Sequence, residues 1–301
     1  MKTKTIQLVL KTKFRRLLES IENEQIRDLV AKNSIITGGC IASMLLNEQV
    51  HDFDIYFKTK EVAYKVACYY CKLFASNPSR RSKRLDAKIY VQDLPDRVKI
   101  IVQSAGVATQ DTEGYKYFET TNPETGETLE YVEQVFDIAK DAEETRPKYR
   151  PVFLSSHAIT LTGKVQLVTR FFGTPSEIHA NYDFCHCMNY WTSWDNNLVL
   201  HAPALESLLT KDLRYVGSLY PLASIIRARK FIKRGWSISA GQYLKMVMQL
   251  NDLDLKDLHV LEEQLTGVDV AYFHEILDAL REKDEKRVDG AYLVELIDRL
   301  F

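Results

Sequence analysis

The segment from residue 34 to residue 57 constrains the fold of this chain more than any other. An apolar strand runs into the glycine pair Gly38 and Gly39, a short helix follows, and a second apolar strand carries Asp52 and Asp54. Because side chains alternate along a strand, the two aspartates point to the same face. The glycines leave backbone N–H groups free of side-chain cover. Two carboxylates beside such a backbone suit a divalent metal ion that carries a nucleoside triphosphate.

This pattern resembles the nucleotidyltransferase superfamily, which has the DNA polymerase β-like fold, and is closest to its CCA-adding and poly(A) polymerase-like branch. That branch reads Gly-Gly, an apolar residue, Arg-Asp, Leu-Leu and then Asp-x-Asp. The residues of this chain that keep the spacing are Gly38, Gly39, Ile41, Leu45, Leu46, Asp52 and Asp54. The chain departs from the branch at Ala42 and Ser43, where the family has the Arg-Asp pair that helps to hold the nucleotide. The resemblance therefore leaves open how base and sugar are selected.

The resemblance implies a metal-dependent reaction that moves a nucleoside monophosphate from an NTP to an acceptor hydroxyl and releases pyrophosphate. In that reaction Asp52 and Asp54 would bind Mg²⁺ or Mn²⁺, while Gly38, Gly39 and Ser43 would line the nucleotide. Positioning and charge neutralisation would supply most of the rate. The acceptor that the resemblance indicates is an RNA 3′ end.

A third carboxylate of the site is predicted at Asp183. The segment 178–186 is apolar and aromatic, and its pattern predicts a strand. Many members of the superfamily place a third carboxylate on a neighbouring strand, so we expect Asp183 to join Asp52 and Asp54 at the metal. There it would help to deprotonate the acceptor hydroxyl. The alternative is an aspartate that hydrogen-bonds to the local backbone at the start of a strand.

Length and composition indicate a soluble globular protein of two domains, or of one domain with a large insertion. The chain has 301 residues, of which 46% are hydrophobic and 27% are charged. Because the net charge at pH 7 is −1, any surface that binds nucleic acid must be local. No apolar run reaches the ~20 residues of a membrane span. The sequence begins without a secretory signal and has 5 cysteines, an odd number, so we expect a cytoplasmic protein with reduced thiols.

We predict an α+β architecture in two parts. Residues 1–200 would form a nucleotidyltransferase-like mixed sheet with flanking helices, and residues 201–301 would form an all-helical domain. The polar, irregular segment at about 106–151 predicts an insertion in the first domain. With this insertion, which is rich in aromatic residues, the sequence resembles proteins of large-genome phages.

A basic helix is predicted in the C-terminal part. Its positive residues are Arg227, Arg229, Lys230, Lys233 and Arg234. At helical spacing, Arg227, Lys230 and Arg234 share one face. Such a face suits a triphosphate or an RNA backbone. The alternative is an ordinary solvated basic face.

Two other functions are compatible with the same pattern. One is transfer of a nucleotide to a protein or a small molecule, as some toxins of the superfamily perform. The other is a non-catalytic protein that keeps the fold for binding or assembly, which the missing Arg-Asp pair and the long insertion favour.

Overall fold

The computed structural model describes residues 1–76, 88–103, 149–265 and 289–300. Within these ranges it shows a mixed β-sheet with flanking helices, followed by a series of helices. The predicted α+β class is therefore confirmed. Most of the predicted insertion at 106–151 lies outside the described residues.

The elements of the described ranges are numbered in chain order. The helices are α1 (Thr3–Glu19), α2 (Glu24–Asn33), α3 (Gly39–Leu46), α4 (Lys60–Ser76), α5 (Pro175–His179), α6 (Ala202–Thr210), α7 (Pro221–Lys233), α8 (Ala240–Asn251), α9 (Leu258–Gln264) and α10 (Gly290–Leu300). The strands are β1 (Ser34–Thr37), β2 (Phe53–Phe57), β3 (Lys88–Asp93), β4 (Val98–Gln103), β5 (Pro151–Leu154), β6 (Ala158–Leu161), β7 (Val165–Phe172), β8 (Tyr190–Thr192) and β9 (Asn197–Val199).

In the described part of the chain, the main sheet has seven strands in the order β5-β6-β7-β2-β1-β8-β9. Strand β2 is therefore the middle strand. It pairs antiparallel with β1 and parallel with β7, and the other neighbours in this sheet are antiparallel. Strands β3 and β4 form a separate antiparallel hairpin.

Helix α1 is fixed by apolar side chains that recur at helical spacing. Those buried in the core are Ile6, Leu10, Phe14 and Leu17. The ring of Phe14 meets the edge of Trp191 in β8, with 5.2 Å between ring centroids. The buried stripe and this aromatic pair are the reason that the N-terminal helix packs beside the sheet.

The chain forms two compact units. The first contains residues 1–178 and 189–199, and the second contains residues 179–188 and 200–301. The described residues of the second unit are mainly helical, as predicted for the C-terminal part. No helix in the described ranges is long and apolar enough to cross a membrane.

The strand predicted at 178–186 is wrong. Helix α5 ends at His179, and Cys185–Cys187 form a short 3₁₀ turn. The apolar residues of this segment are buried for another reason. Phe184 makes one isolated antiparallel bridge to Tyr215, and its ring contacts that of Phe231, both in the second unit. An apolar run of this length does not distinguish a strand from a buried connection.

His186 lies in an aromatic cluster of the second unit and is 1% exposed. Its ring centroid is 4.7 Å from that of Phe231 and 4.4 Å from that of Trp236. Neither ring nitrogen has a hydrogen-bond partner in the described residues. Burial lowers the pKa of His186 to about 4; the nearby charge of Asp183 raises this pKa and that of Arg234 lowers it. The imidazole is therefore neutral at physiological pH.

We expect His186 to make the second unit, called the helical unit from here on, sensitive to acid. The unfolded chain binds the proton first, so stability is complete above the ordinary pKa of 6.5 and declines as the pH falls towards 4. At about pH 5 the loss is about 2 kcal/mol. The replacement His186→Phe should remove this component, as measured by chemical unfolding at about pH 7 and about pH 5. His259→Gln, which changes an exposed histidine of the same unit, is the control. An equal acid loss in wild type and His186→Phe would contradict this assignment.

Candidate active site

The glycine pair lies next to the acidic strand because of the pairing between β1 and β2. In this antiparallel ladder Thr37 lies opposite Asp54, and Gly38 follows Thr37 directly. Gly38 has φ 93° and ψ −153°, a conformation that is essentially restricted to glycine. Helix α3 then begins at Gly39. The first backbone N–H groups of α3 have no hydrogen-bond partner within the helix. They follow two residues after Thr37, which pairs with Asp54, and are therefore close to this aspartate along the ladder.

The two aspartates form an electrostatically costly pair. Asp54 lies in β2 and is half-buried. Asp52, which was predicted on the same strand, directly precedes it and is exposed, because the strand begins only at Phe53. Burial, followed by the like charge of Asp52, raises the pKa of Asp54 well above its ordinary value. The pKa of Asp52 is also raised, because the surrounding protein desolvates its carboxyl, while His51 and Lys164 act in the opposite direction. A bound divalent cation would relieve both effects, so this carboxylate pair fits a metal such as Mg²⁺.

Three residues beside the aspartates were missed in the sequence. His51 and Lys164 influence Asp52 electrostatically, and the Lys164 carbonyl accepts the backbone N–H of Phe53 at 2.8 Å. Gln166 in β7 lies directly opposite Asp54. Strand β7, which neighbours β2, therefore places the side-chain amide of Gln166 next to Asp54, whereas a third carboxylate was expected on a neighbouring strand. The parallel pairing that brings these residues together joins distant parts of the chain.

Asp183 is not on a strand beside β2, so its predicted position is wrong. The neighbours of β2 are β1 and β7, whereas Asp183 lies in a bend just before Phe184. Its carboxylate accepts the Phe184 N–H at 3.0 Å and forms an ion pair with Arg227 of α7. This matches the alternative of an aspartate bonded to local backbone. Within the described residues, no three His, Cys, Asp or Glu side chains form a group that could hold a metal.

The basic face predicted on α7 is less positive than its sequence indicates. Arg227 is paired with Asp183. Lys230 and Arg234 are exposed, and the Arg234 guanidinium lies 5.9 Å from the centre of the Phe231 ring. Arg227 is therefore engaged within the unit, and Lys230 and Arg234 are the members of this face whose side chains are exposed.

The backbone at Gly39 is open, whereas Ser43 is enclosed. Among the described residues, a methyl group added at Gly39 would meet no atom within 4 Å other than those of its chain neighbours and of the backbone of its own helix. Ser43, which was expected to line the nucleotide, lies in α3 and is 7% exposed. The glycine at position 39 is thus not required by packing within the described residues, and the space in front of it can admit a ligand.

We expect Gly39→Ala to keep the fold and to weaken NTP binding. Alanine favours a helix over glycine by roughly 0.5–1 kcal/mol, so thermal stability should be unchanged or higher. The added methyl group would stand where phosphates approach the backbone. Isothermal titration with an NTP and Mg²⁺ measures the affinity. Gly38→Ala is the matched contrast, because its backbone conformation should cost about 1–3 kcal/mol of stability. Wild-type NTP affinity in Gly39→Ala would rule out this approach of the ligand.

Solved structures similar to this chain include CCA-adding enzymes. The Thermotoga maritima CCA-adding enzyme complexed with tRNA is 14% identical, with a TM-score of 0.43, over 92% of this chain and 55% of that chain. The Bacillus stearothermophilus CCA-adding enzyme in complex with CTP is 13% identical, with a TM-score of 0.38, over 92% of this chain and 52% of that chain. This chain spans about half the length of these enzymes.

The family of the chain is shown by its sequence. A family model described as Gabija anti-defense 2 family protein matches residues 8–211, and the chain belongs to this family. A curated relative, Gabija anti-defense 2 of Bacillus phage SPbetaL7, is 23% identical over 124 residues, which are 40% of this chain and 30% of that protein. The match thus spans less than a third of the relative's length. This relative supports the phage origin that the sequence suggested.

Proposed function

We propose that this protein counteracts the Gabija defence by transferring a nucleoside monophosphate from an NTP to a hydroxyl group on a component of that defence. The observation that carries the proposal is the Asp52–Asp54 pair beside the open backbone at Gly39. The family name supports the target, and the arrangement of carboxylates and glycines supports the chemistry. An RNA 3′ end remains the acceptor expected from the sequence pattern, and a protein hydroxyl is its alternative.

Each residue of the site has a distinct role in this proposal. Asp52 and Asp54 would hold Mg²⁺ or Mn²⁺, which when bound supplies positive charge to the triphosphate. The N-terminus of α3 favours negative charge, and Gly39 lets the phosphates come close to the backbone. Lys164 adds a cation near Asp52. Catalysis would come from positioning and from neutralisation of charge on the phosphates.

A second candidate is a protein that binds an NTP and a defence component without transfer. Two observations favour it: Gln166 stands opposite Asp54 where a third carboxylate was expected, and Ala42 and Ser43 replace the Arg-Asp pair of the branch. In this case the site would retain the metal-bound nucleotide as a ligand. The two candidates differ in whether label is transferred to an acceptor.

The test is incubation of the purified protein with each α-³²P-labelled NTP and Mg²⁺ or Mn²⁺. The acceptors are purified Gabija proteins in one reaction and total RNA in another, and a third reaction contains no acceptor. Label on a Gabija component supports the proposal, and label on RNA alone supports the acceptor expected from the sequence. NTP binding without label in any reaction would favour the second candidate. Neither binding nor label would overturn both.

A further inference from the structure

Helix α8 of the helical unit has a clearly defined inner side. Gln242, Met246 and Gln249 recur at helical spacing, and Met246 is fully buried. The side-chain oxygen of Gln242 accepts the backbone N–H of Tyr215 at 2.9 Å, and that of Gln249 accepts the hydroxyl group of the same tyrosine. These three residues therefore hold one side of α8 against its own unit.

The opposite side of α8 is apolar and exposed. Its large side chains, called the α8 face here, are 40–63% exposed, and they are Tyr243, Leu244, Val247 and Met248. At about 100° per residue, Leu244 lies almost directly opposite the inner side, and Val247 and Met248 flank it. The charged residue of α8, Lys245, lies outside this face. Soluble proteins rarely expose several large apolar side chains together, so the α8 face is typical of a surface that binds another protein.

Charge changes sign from one end of α8 to the other. The last two turns of α7, which residues 234–239 join to the start of α8, carry exposed basic residues: Arg229, Lys230 and Lys233. The segment 252–257, which follows α8, carries one exposed lysine and three exposed aspartates: Lys256, Asp252, Asp254 and Asp257. A helix of 12 residues is about 18 Å long, so the two charged regions adjoin opposite ends of α8. The peptide dipoles act in the same sense, because they make the N-terminus of a helix positive and its C-terminus negative.

We propose that two copies of this chain associate through their α8 faces, with the two α8 helices antiparallel. In a pair related by a two-fold axis, both copies contribute the same surface, so Leu244, Val247 and Met248 of one copy would pack against the same side chains of the other. The antiparallel arrangement brings the basic end of each α8 to the acidic end of its partner. The positive and negative poles of the two helices meet in the same way.

Charge complementarity is the reason for choosing a second copy as the occupant. The α8 face contains no cation, whereas a surface that binds nucleic acid needs cations for the phosphates. The two ends of α8 carry opposite charges, so the surface is complementary to itself when it is turned by half a revolution. A parallel pair would instead place like charges together at both ends. The inference does not depend on the proposed nucleotide transfer.

The test is sedimentation velocity of the whole chain at concentrations from about 1 to about 200 μM. Two helices of this length cover less than the ~1,600 Å² of a standard interface, so we expect a reversible dimer with a roughly micromolar Kd. Leu244→Glu and Met248→Glu each place a carboxylate in the α8 face. Leu209→Glu is the control, because it makes the same change at a leucine on α6 of the same unit that is 86% exposed.

Wild type and Leu209→Glu should convert from monomer to dimer as the concentration rises. Each variant of the α8 face should raise the Kd of the dimer by about 30-fold or more, because one carboxylate from each copy would lose water in an apolar contact. At the lowest concentration these variants should melt at the wild-type temperature, since the replaced side chains are exposed, and this excludes a folding defect. Unchanged dimerisation of both variants, or a wild type that is monomeric at every concentration, would overturn the proposal.

Exchange of charge between the two ends of α8 tests the antiparallel arrangement. Lys230→Glu and Asp252→Lys should each raise the Kd by about fivefold, and the double variant should recover association because the exchanged charges meet across the dimer. These differences should shrink with added salt, which screens exposed charges. Failure of the double variant to recover would contradict the antiparallel pair. Binding of a purified Gabija protein to a wild type that remains monomeric, with loss of this binding in Leu244→Glu, would assign the α8 face to that partner instead.

Discussion

The variant Asp54→Asn should show no nucleotide transfer while the protein remains folded. Asparagine has nearly the same shape as aspartate but lacks the charge that would hold Mg²⁺, so no cavity forms and metal affinity falls. The measurement is the α-³²P transfer assay with the acceptor that wild type labels. Asp28→Asn is the control, because Asp28 forms only an exposed pair with Lys32 on α2. Equal labelling by wild type and Asp54→Asn would place the activity elsewhere.

The same variant has a second expected effect in metal-free buffer. Burial and the charge of Asp52 hold the pKa of Asp54 well above its ordinary value, so its ionised form opposes folding at neutral pH. Asp54→Asn should therefore raise the melting temperature, by about 2–4 °C for each kcal/mol relieved. The gain should shrink as the pH is lowered, because wild-type Asp54 is then protonated as well. Mg²⁺ should stabilise wild type more than the variant.

Breaking the ion pair between Asp183 and Arg227 should destabilise the helical unit. The Asp183 side chain is 13% exposed and that of Arg227 is 32% exposed. Loss of one partner from a fully buried pair costs about 3–5 kcal/mol, and partial exposure reduces this to about 2–3 kcal/mol for Asp183→Asn. Hydrogen exchange of the α7 amides, residues 222–233, measures this loss of stability within the second unit.

Two further variants make this prediction specific. Glu206→Gln breaks the exposed pair with Arg214 in the same unit, and it should cost at most about 1 kcal/mol. The double variant of Asp183→Asn and Arg227→Gln should recover much of the stability, because no unpaired charge remains. An Asp183→Asn loss as small as that of Glu206→Gln would show that the pair contributes little. Loss of transfer activity without any loss of stability would instead return Asp183 to the reaction.

The features predicted correctly from the sequence are those with short-range causes. The strand, the glycine pair, the helix and the acidic strand of residues 34–57 follow one another in the chain, so period and turn chemistry reveal them. The spacing of apolar residues likewise predicts the helices of the C-terminal part. Asp54 lies beside the glycines because β1 and β2 are consecutive strands that pair.

The features that were missed depend on contacts between distant residues. Gln166 and Lys164 reach the aspartates because β2 pairs with β7, which begins more than a hundred residues later. Asp183 forms an ion pair with Arg227. A single charged residue looks the same in a sequence whether it binds a metal, a phosphate or another side chain, so the sequence could not reveal this pair. The segment around Phe184 is apolar because it is buried, which gave it the sequence pattern of a strand, although the bridge between Phe184 and Tyr215 is an isolated one.

The path of the chain between its two units has a consequence for fragments of this protein. Residues 179–188 belong to the helical unit, but β8 and β9 follow them and return to the sheet. A single cut near residue 200 would therefore separate α7 from Asp183 and would take Phe184 and His186 away from Phe231. The helical unit is an interrupted module, and it cannot be exchanged between related proteins as one continuous cassette. A graft of this unit would have to carry both of its segments.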